Sequence, residues 1–422
     1  MIPTGCSPVS LWPKLLAFAG VLTLAACQAP PEPDPVEVPV EPEAVLPTAL
    51  DLIPAHWDAL PGWSSNDPQA ALAAFVRSCS RWDNRPADDW LNPQAQWAGR
   101  IGEWRTACAA ALMTAPGAEA ARGFFQTQFT PIRLAALETE SETREERGLL
   151  TGYYEPYVDV SETPTPRFSQ PLRRRPSDLV TVDLGLFEED LAGRRIVGEV
   201  RDGRLVLYKE RSEIEQQDAG EVFAWGEPIE VFFLQIQGSG RIVYPDGRQE
   251  RAAFAAHNGQ PYRSIGRELI RRGELEVHAA SKQGIEAWLE ENGPEATAEL
   301  FGVNPRYVFF QTQPLTDPDL GPAGSSGVAL TPMASIAVDT RHHAHGVPVW
   351  MSADLPELEG WSGLVIAQDS GGAINGPLRG DFFWGWGQTA ERRAGTTRVQ
   401  AQWTAFLPTA VAQRLIDATP PA

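Results

Sequence analysis

The chain has 422 residues, 43% of them hydrophobic and 21% charged, the balance of an ordinary globular protein, and it is longer than a single core usually fills, so two domains are expected. Its formal net charge is −20 and its pI about 4.8. Such a surface repels phosphate backbones and anionic headgroups, which argues against nucleic acid as a partner and against docking on a membrane by charge alone.

The first 27 residues read as an export signal. Lys14 precedes the apolar run Leu15 to Ala26, too short to span a bilayer, and the run ends Leu24-Ala25-Ala26-Cys27. Small residues before a cysteine resemble a bacterial lipobox, in which Cys27 is acylated and becomes the mature N-terminus; a plain secretory signal is the other reading. Acyl chains add roughly 0.8 kcal/mol per buried CH2, so several of them hold a protein firmly on a membrane. Gln28 rather than Asp follows the cysteine, which by resemblance to sorted lipoproteins points to the periplasmic face of a Gram-negative outer membrane. Residues 28–45 are Pro-rich and acidic and read as a tether. Cys79 and Cys108 either form a disulfide, as an oxidising compartment allows, or remain two buried thiols.

Residues 68–81 and 93–114 carry apolar side chains at helical spacing, with Asp67 and Asn92 placed as N-caps. Segments 118–129 and 131–138 are predicted as further short helices. From Leu149 the texture changes to strands: the run containing Leu149, Leu150, Tyr153 and Tyr154, then Arg195–Val200, Arg204–Tyr208, Ile229–Gln237 and Gly240–Tyr244, with Asp246-Gly247 as a hairpin turn. Segments 262–272 and 278–292 read as helices and Asn304–Gln311 as a strand. The last hundred residues give Ser335–Asp339, Val347–Ser352, Gly363–Gln368, Phe382–Trp386 and Thr396–Phe406 as short strands between Gly and Pro turns, the pattern of a small closed barrel. Pro-rich stretches near 161–177 and 313–332 mark the domain boundaries.

Residues 367–387 carry the densest chemistry. Asp369 ends an apolar strand, Ser370-Gly371-Gly372 makes a tight turn whose amides can face a ligand, and Asp381 begins the next strand. A pair of carboxylates beside aromatics suits sugar cleavage, where one acid must stay protonated to donate to a glycosidic oxygen. The same two aspartates can instead cap turns. Phe382, Trp384 and Trp386 share one strand face and form either a stacking platform for sugar rings or barrel core. Asp339 ends a further strand, ahead of His342, His343 and His345; three nearby histidines without a second ligand cluster make a weak metal site, and no metal or other cofactor is expected. No Gly-Xaa-Ser-Xaa-Gly elbow supports a serine hydrolase. The run Gln237-Gly238-Ser239-Gly240-Arg241 lacks the lysine and following helix of a phosphate loop.

Asp339, Asp369 and Asp381 resemble the three aspartates of the 3D domain, as do the runs 327–332 (GVALTP) and 369–376 (DSGGAING). Upstream, 151–156 (TGYYEP), 233–240 (FLQIQGSG), 262–266 (YRSIG) and 304–310 (NPRYVFF) are similar to the membrane-bound lytic murein transglycosylase A family. The resemblance covers about residues 60–410. It implies a mainly β fold with peripheral helices: a double-psi β-barrel from 46–160 and 313–422, a second β-barrel inserted at 161–312, and a glycan groove between them. It further implies Asp381 as the catalytic acid/base, Asp369 as its neighbouring carboxylate and Asp339 as a third, supporting one. Gly371, Gly372, Ala373, Gln237, Ser239, Tyr154 and Trp384 are candidates for holding sugars. The activity implied is cleavage of the MurNAc–GlcNAc bond of peptidoglycan with a 1,6-anhydro end. The rivals are an inverting glycoside hydrolase using Asp369 and Asp381, and a non-catalytic wall-binding lipoprotein. Glycan strands and the membrane are the expected partners, with cell-wall synthesis or division proteins as further candidates.

Overall fold

A computed structural model of the chain describes residues 49–137, 143–188, 191, 194–217, 219–280 and 282–418. The export signal, Cys27 and the 28–45 tether lie outside the described residues. The N-terminal part runs β1 (Ala49–Pro54), α1 (Gln69–Cys79), α2 (Ile101–Met113), α3 (Ala118–Gln128), β2 (Phe129–Leu137), β3 (Arg144–Glu145) and β4 (Arg147–Glu155). A central part follows: β5 (Tyr157–Ser161), β6 (Gln170–Arg173), β7 (Val180–Asp183), β8 (Arg195–Arg201), β9 (Arg204–Leu207), α4 (Arg211–Gln217), β10 (Val222–Gly226), α5 (Pro228–Gln237), β11 (Gly240–Val243), β12 (Gln249–His257), α6 (Ile265–Arg272), α7 (Lys282–Gly302) and β13 (Val308–Pro314). The C-terminal part is β14 (Ser335–Val338), β15 (Pro348–Leu355), β16 (Leu358–Asp369), β17 (Gly380–Trp386), α8 (Gly387–Thr396), β18 (Arg398–Pro408) and α9 (Thr409–Ala418).

Strands β18, β15, β16, β14, β17 and β4 pair in that order, and β4 returns to pair with β18, which closes a six-stranded barrel. Two of its pairs, β14–β16 and β17–β4, are parallel. Closure leaves these strands no free edge. Strands β2 and β1 extend from β18 outside the ring. The interior and the layer under the helices hold Leu150, Ile336, Val349, Trp350, Ile366, Phe382, Trp403 and Phe406, none more than 1% exposed. Helix α1 is tied to the barrel through Gln368, whose buried amide donates to Ala74 O and Ser78 Oγ and accepts from Ser335 Oγ. Cys79 and Cys108 are disulfide-bonded, which resolves the open alternative and links α1 to α2.

The second sheet has the order β13-β12-β11-β5-β10-β6, and a bridge between Arg174 and Phe310 brings its two ends together around a core of Val158, Leu172, Val231, Ile242 and Phe310. Among the described residues two connections join the barrels, Pro156 between β4 and β5 and the stretch after β13. Glu155, the last residue of β4, has a fully buried side chain and accepts from both Arg241 and Arg251. The same two guanidiniums donate to Pro318 O and Leu320 O of the return connection. A buried carboxylate satisfied this way is costly to strip of one partner, so the triad fixes the barrels' mutual orientation.

Four expectations are corrected. The segment expected as a helix over 131–138 is not one where it is described: residues 131–137 lie in β2, paired on both sides by β1 and β18, and tertiary pairing overrides the Ala-Leu helical propensity. Residues 229–237 are not a strand but α5, started by Pro228 at N1 and ended by Gly238 at φ 81°; an unbroken apolar run carries no period to separate the two. The helix expected from 93 begins at Ile101, and Asn92 instead donates to Thr340 O and His343 O. Finally β5, ending at Ser161, already belongs to the second sheet, so the change of barrel falls at Pro156 rather than 161.

Candidate active site

Ala337 on β14 is the pivot. It pairs with Asp369 of β16 on one side and with Asp381 of β17 on the other. At about 4.8 Å per strand step the two aspartate backbones stand about 10 Å apart, and residues in register share a sheet face, so both carboxyls rise from one end of the barrel. On its other side β17 runs parallel to β4, which sets Thr151 against Asp381. Gly152 is needed there: a Cβ on it would lie 2.7 Å from Trp384 Nε1, too close for β4 and β17 to keep their spacing.

Asp381 accepts a 2.6 Å hydrogen bond from Thr151 Oγ1, which itself accepts from Arg379 Nη2 at 2.9 Å. Loss of water by burial raises the Asp381 pKa to about 6; Thr151 and the Arg379 charge pull it down without cancelling this, and Asp369 adds the smallest upward push. Like-charge repulsion is therefore secondary to desolvation. Asp369 is held by three donors: Tyr153 Oη at 3.0 Å, Ser325 N at 2.8 Å and its neighbour Ser370 N at 2.9 Å. Burial first, then the Asp369 and Asp381 charges, push the Tyr153 phenol well above its ordinary value, so it stays a donor.

Asp381 and Asp369 both line a cavity of about 560 Å³ with one wall from each barrel. The closed barrel contributes Gly152, Tyr153, Ala337 and the 369–374 turn, including the expected Gly371, Gly372 and Ala373. The second barrel contributes Arg211, residues 235–237, Tyr262, Asn304, Arg306 and Val308. Gln237 is thus at the cavity, carried by α5 rather than by a strand.

Other expected residues lie elsewhere. Trp384 is core, 5% exposed, its Nε1 donating to Thr397 Oγ1, and Phe382 is fully buried, so these two aromatics fill the barrel instead of forming a platform, while the third, Trp386, is half-buried with the Arg241 guanidinium 3.8 Å over its ring. Tyr154 donates to Glu391 Oε1 away from the cavity. Ser239 is buried and accepts from Phe254 N. Asp339 does not line the cavity. Burial pushes its pKa up, but Arg341 and the amides of Gly376 and Arg341 outweigh this and hold it below the usual range. It pins the loop that leads to Asp381. The histidines diverge: His343 Nε2 meets Pro377 O, His345 Nε2 meets Ser325 Oγ, and among the described residues no group of His, Cys, Asp and Glu is arranged for a metal.

Thr151, Tyr153 and Arg379 were not singled out from the sequence as partners of the aspartates, although the first two lie in the 151–156 run quoted above. Arg211, Tyr262, Asn304 and Arg306 likewise come to the cavity only through the fold.

The fold and site define a two-barrel protein with an aspartate-bearing cleft. Two family models match the chain, the MltA specific insert domain over residues 149–311 and the 3D domain over 334–407. Membrane-bound lytic murein transglycosylase A of Vibrio cholerae is 34% identical over 174 residues, 40% of this chain and 46% of the relative, so the match spans about half of that curated protein. A membrane-bound lytic murein transglycosylase structure from Agrobacterium tumefaciens superimposes with a TM-score of 0.73 at 29% identity, covering 86% of this chain and 99% of that one. The lytic transglycosylase LtgG of Burkholderia pseudomallei is 34% identical, with a TM-score of 0.55 and coverage of 87% and 98%. The chain belongs to the membrane-bound lytic murein transglycosylase A family with a C-terminal 3D domain. Its closed barrel is the double-psi barrel of that fold.

Proposed function

We propose that the chain is a peptidoglycan lytic transglycosylase that uses Asp381 as its single acid/base. The observation that carries this reading is a carboxyl at the wall of a cavity, reachable by a ligand yet desolvated enough to titrate near 6. An acid with that pKa is protonated in part near neutrality and leaves as a carboxylate able to take a proton back.

The neutral Asp381 carboxyl gives its proton to the oxygen joining MurNAc C1 to GlcNAc C4, and the C1–O bond breaks. Positive charge at C1 is met by the sugar's own acetamido oxygen and by nearby dipoles. The Asp381 carboxylate then removes the proton of the same sugar's C6 hydroxyl, and O6 bonds to C1. This closes the 1,6-anhydro ring and returns the proton to Asp381. No water is consumed. Asp369, fixed by three donors, lines the same cavity as Asp381, while the amides near Gly371 and Gly372 and the Gln237 side chain hold sugars.

Muropeptides released from purified sacculi test the reaction by mass spectrometry. Products lighter by one water than reducing ends, lost on Asp381→Asn, are expected. Reducing ends would instead indicate a glycoside hydrolase, and intact sacculi a binding protein.

We also infer that Cys27 is acylated and holds the enzyme on the periplasmic face of the outer membrane. Among the described residues no helix is long and apolar enough to cross a membrane, and the Vibrio cholerae relative is named as membrane-bound. Labelled palmitate should enter the wild-type chain and not Cys27→Ala, which should move to the soluble fraction.

A further inference from the structure

Two arginines line the second barrel's wall of the cavity, and they differ in how they are satisfied. Arg211 is 2% exposed and donates to Asn304 O, Glu215 Oε1, Gln235 Oε1 and Arg306 O, so four of the five donors of its fork are engaged. Arg306 has a single side-chain hydrogen bond among the described residues, from Nη1 to Gln260 O at 3.3 Å. Its backbone is fixed, the N–H donating to Asn304 Oδ1 and the carbonyl accepting from Arg211.

No carboxylate among the described residues lies within ion-pair distance of Arg306, although the chain has 55 acidic residues against 35 basic ones. Burial draws its pKa down with no opposing anion, and its field helps keep His257 neutral, with a pKa lowered to about 4 chiefly by burial. A partly desolvated guanidinium with free N–H groups is stabilised by an anion, and its planar fork suits a carboxylate best.

We propose that Arg306 is a specificity residue that binds a carboxylate carried on the arm of a glycan sugar, so that the cleft prefers acid-bearing strands to neutral chito-oligosaccharides. The inference rests on the peptidoglycan reading above. The carboxylate has two possible sources: the free lactyl group of muramic acid, or an acidic residue of an attached peptide stem. Both offer the same planar acceptor to the fork.

The test is calorimetric binding to the full-length protein carrying Asp381→Asn, which prevents turnover. Three hexasaccharides serve as probes: all-GlcNAc, alternating GlcNAc–MurNAc with free lactyl groups, and the same strand with peptide stems. Adding Arg306→Gln is expected to weaken one or both muramoyl ligands by ~10-fold or more, the size of a charge-assisted hydrogen-bonded pair, and to leave the neutral oligomer unchanged. Which muramoyl ligand loses affinity identifies the source. Arg306→Lys should recover part of the loss, keeping charge without the fork. Equal weakening of all three ligands would make Arg306 a general sugar contact or a structural residue, and no change would remove it from binding; either overturns the inference while anhydro products still support the transglycosylase. If no hexasaccharide binds the Asp381→Asn protein at all, both readings fall.

Discussion

Thr151 and Asp381 face each other across the parallel β4–β17 pair, and the threonine hydroxyl donates to the carboxyl Oδ1 at 2.6 Å while accepting from Arg379. The hydroxyl is thereby oriented, and its bond favours the charged form of Asp381. Desolvation pulls the other way and wins, which places the titration near pH 6. Acid strength in this cleft is set by burial on one side and by the Thr151 hydroxyl and Arg379 charge on the other, and each can be altered separately.

Removing the hydroxyl leaves desolvation unopposed by its nearest donor. Thr151→Val, which keeps the shape of the side chain, is expected to raise the Asp381 pKa by about one unit, the scale of one lost hydrogen bond to a charged group. In the wild type, kcat/KM should fall as pH rises through about 6, because the donor form disappears. In Thr151→Val that alkaline limb should move upward; an unmoved limb would show that Asp381 is not the titrating group.

The same group links activity to stability. The Asp381 carboxyl has an ordinary value of 3.8 and titrates at about 6 in the fold. Between those values the folded chain keeps a proton that the unfolded chain has released. Its stabilising contribution is complete below about pH 4 and is lost as pH rises through 6, amounting to at most about 3 kcal/mol. Asp381→Asn should lack this dependence, so its melting temperature should match the wild type at pH 4 and exceed it at pH 8.

Tyr153→Phe removes one of the three donors on Asp369 while leaving the ring against Phe383, 5.2 Å between centroids. A carboxylate that keeps two donors stays in place but is less firmly held. We expect kcat to fall by roughly 10-fold with little change in KM, as for a residue that positions another. Steady-state kinetics on a soluble glycan substrate would check the split.

Tyr262 is 48% exposed at the cavity and is the accessible aromatic that the core-packed Trp384 is not. Tyr262→Ala should raise KM for long glycans with a smaller effect on kcat, the mark of lost ring stacking.

The Cys79–Cys108 bond closes a loop 29 residues apart in sequence, outside the cavity. Replacing both cysteines by alanine should cost about 2–4 kcal/mol of stability, read from denaturant unfolding, with kcat retained at 25 °C.

Local rules were enough for part of this molecule. The two-residue period wrote the C-terminal strands into the sequence; Asp246-Gly247 marked the β11–β12 hairpin; and the order of the short motifs carried the family resemblance, including the positions of Asp369 and Asp381. What the sequence could not decide was direction and company. The run 229–237 has no period, and only Pro228, Gly238 and the packing of Val231 and Leu234 make it a helix that delivers Gln237 to the cavity. Phe382 and Trp384 alternate as a sugar platform would, but closing the barrel turned them inward. Tyr153 reaches Asp369 across 216 residues of chain, and Arg306 joins Asp381 in one cavity from a different barrel. Such pairings belong to strand closure and to the angle between barrels, because contacts between residues distant along the chain depend on every element between them and leave no local trace in the pattern of side chains.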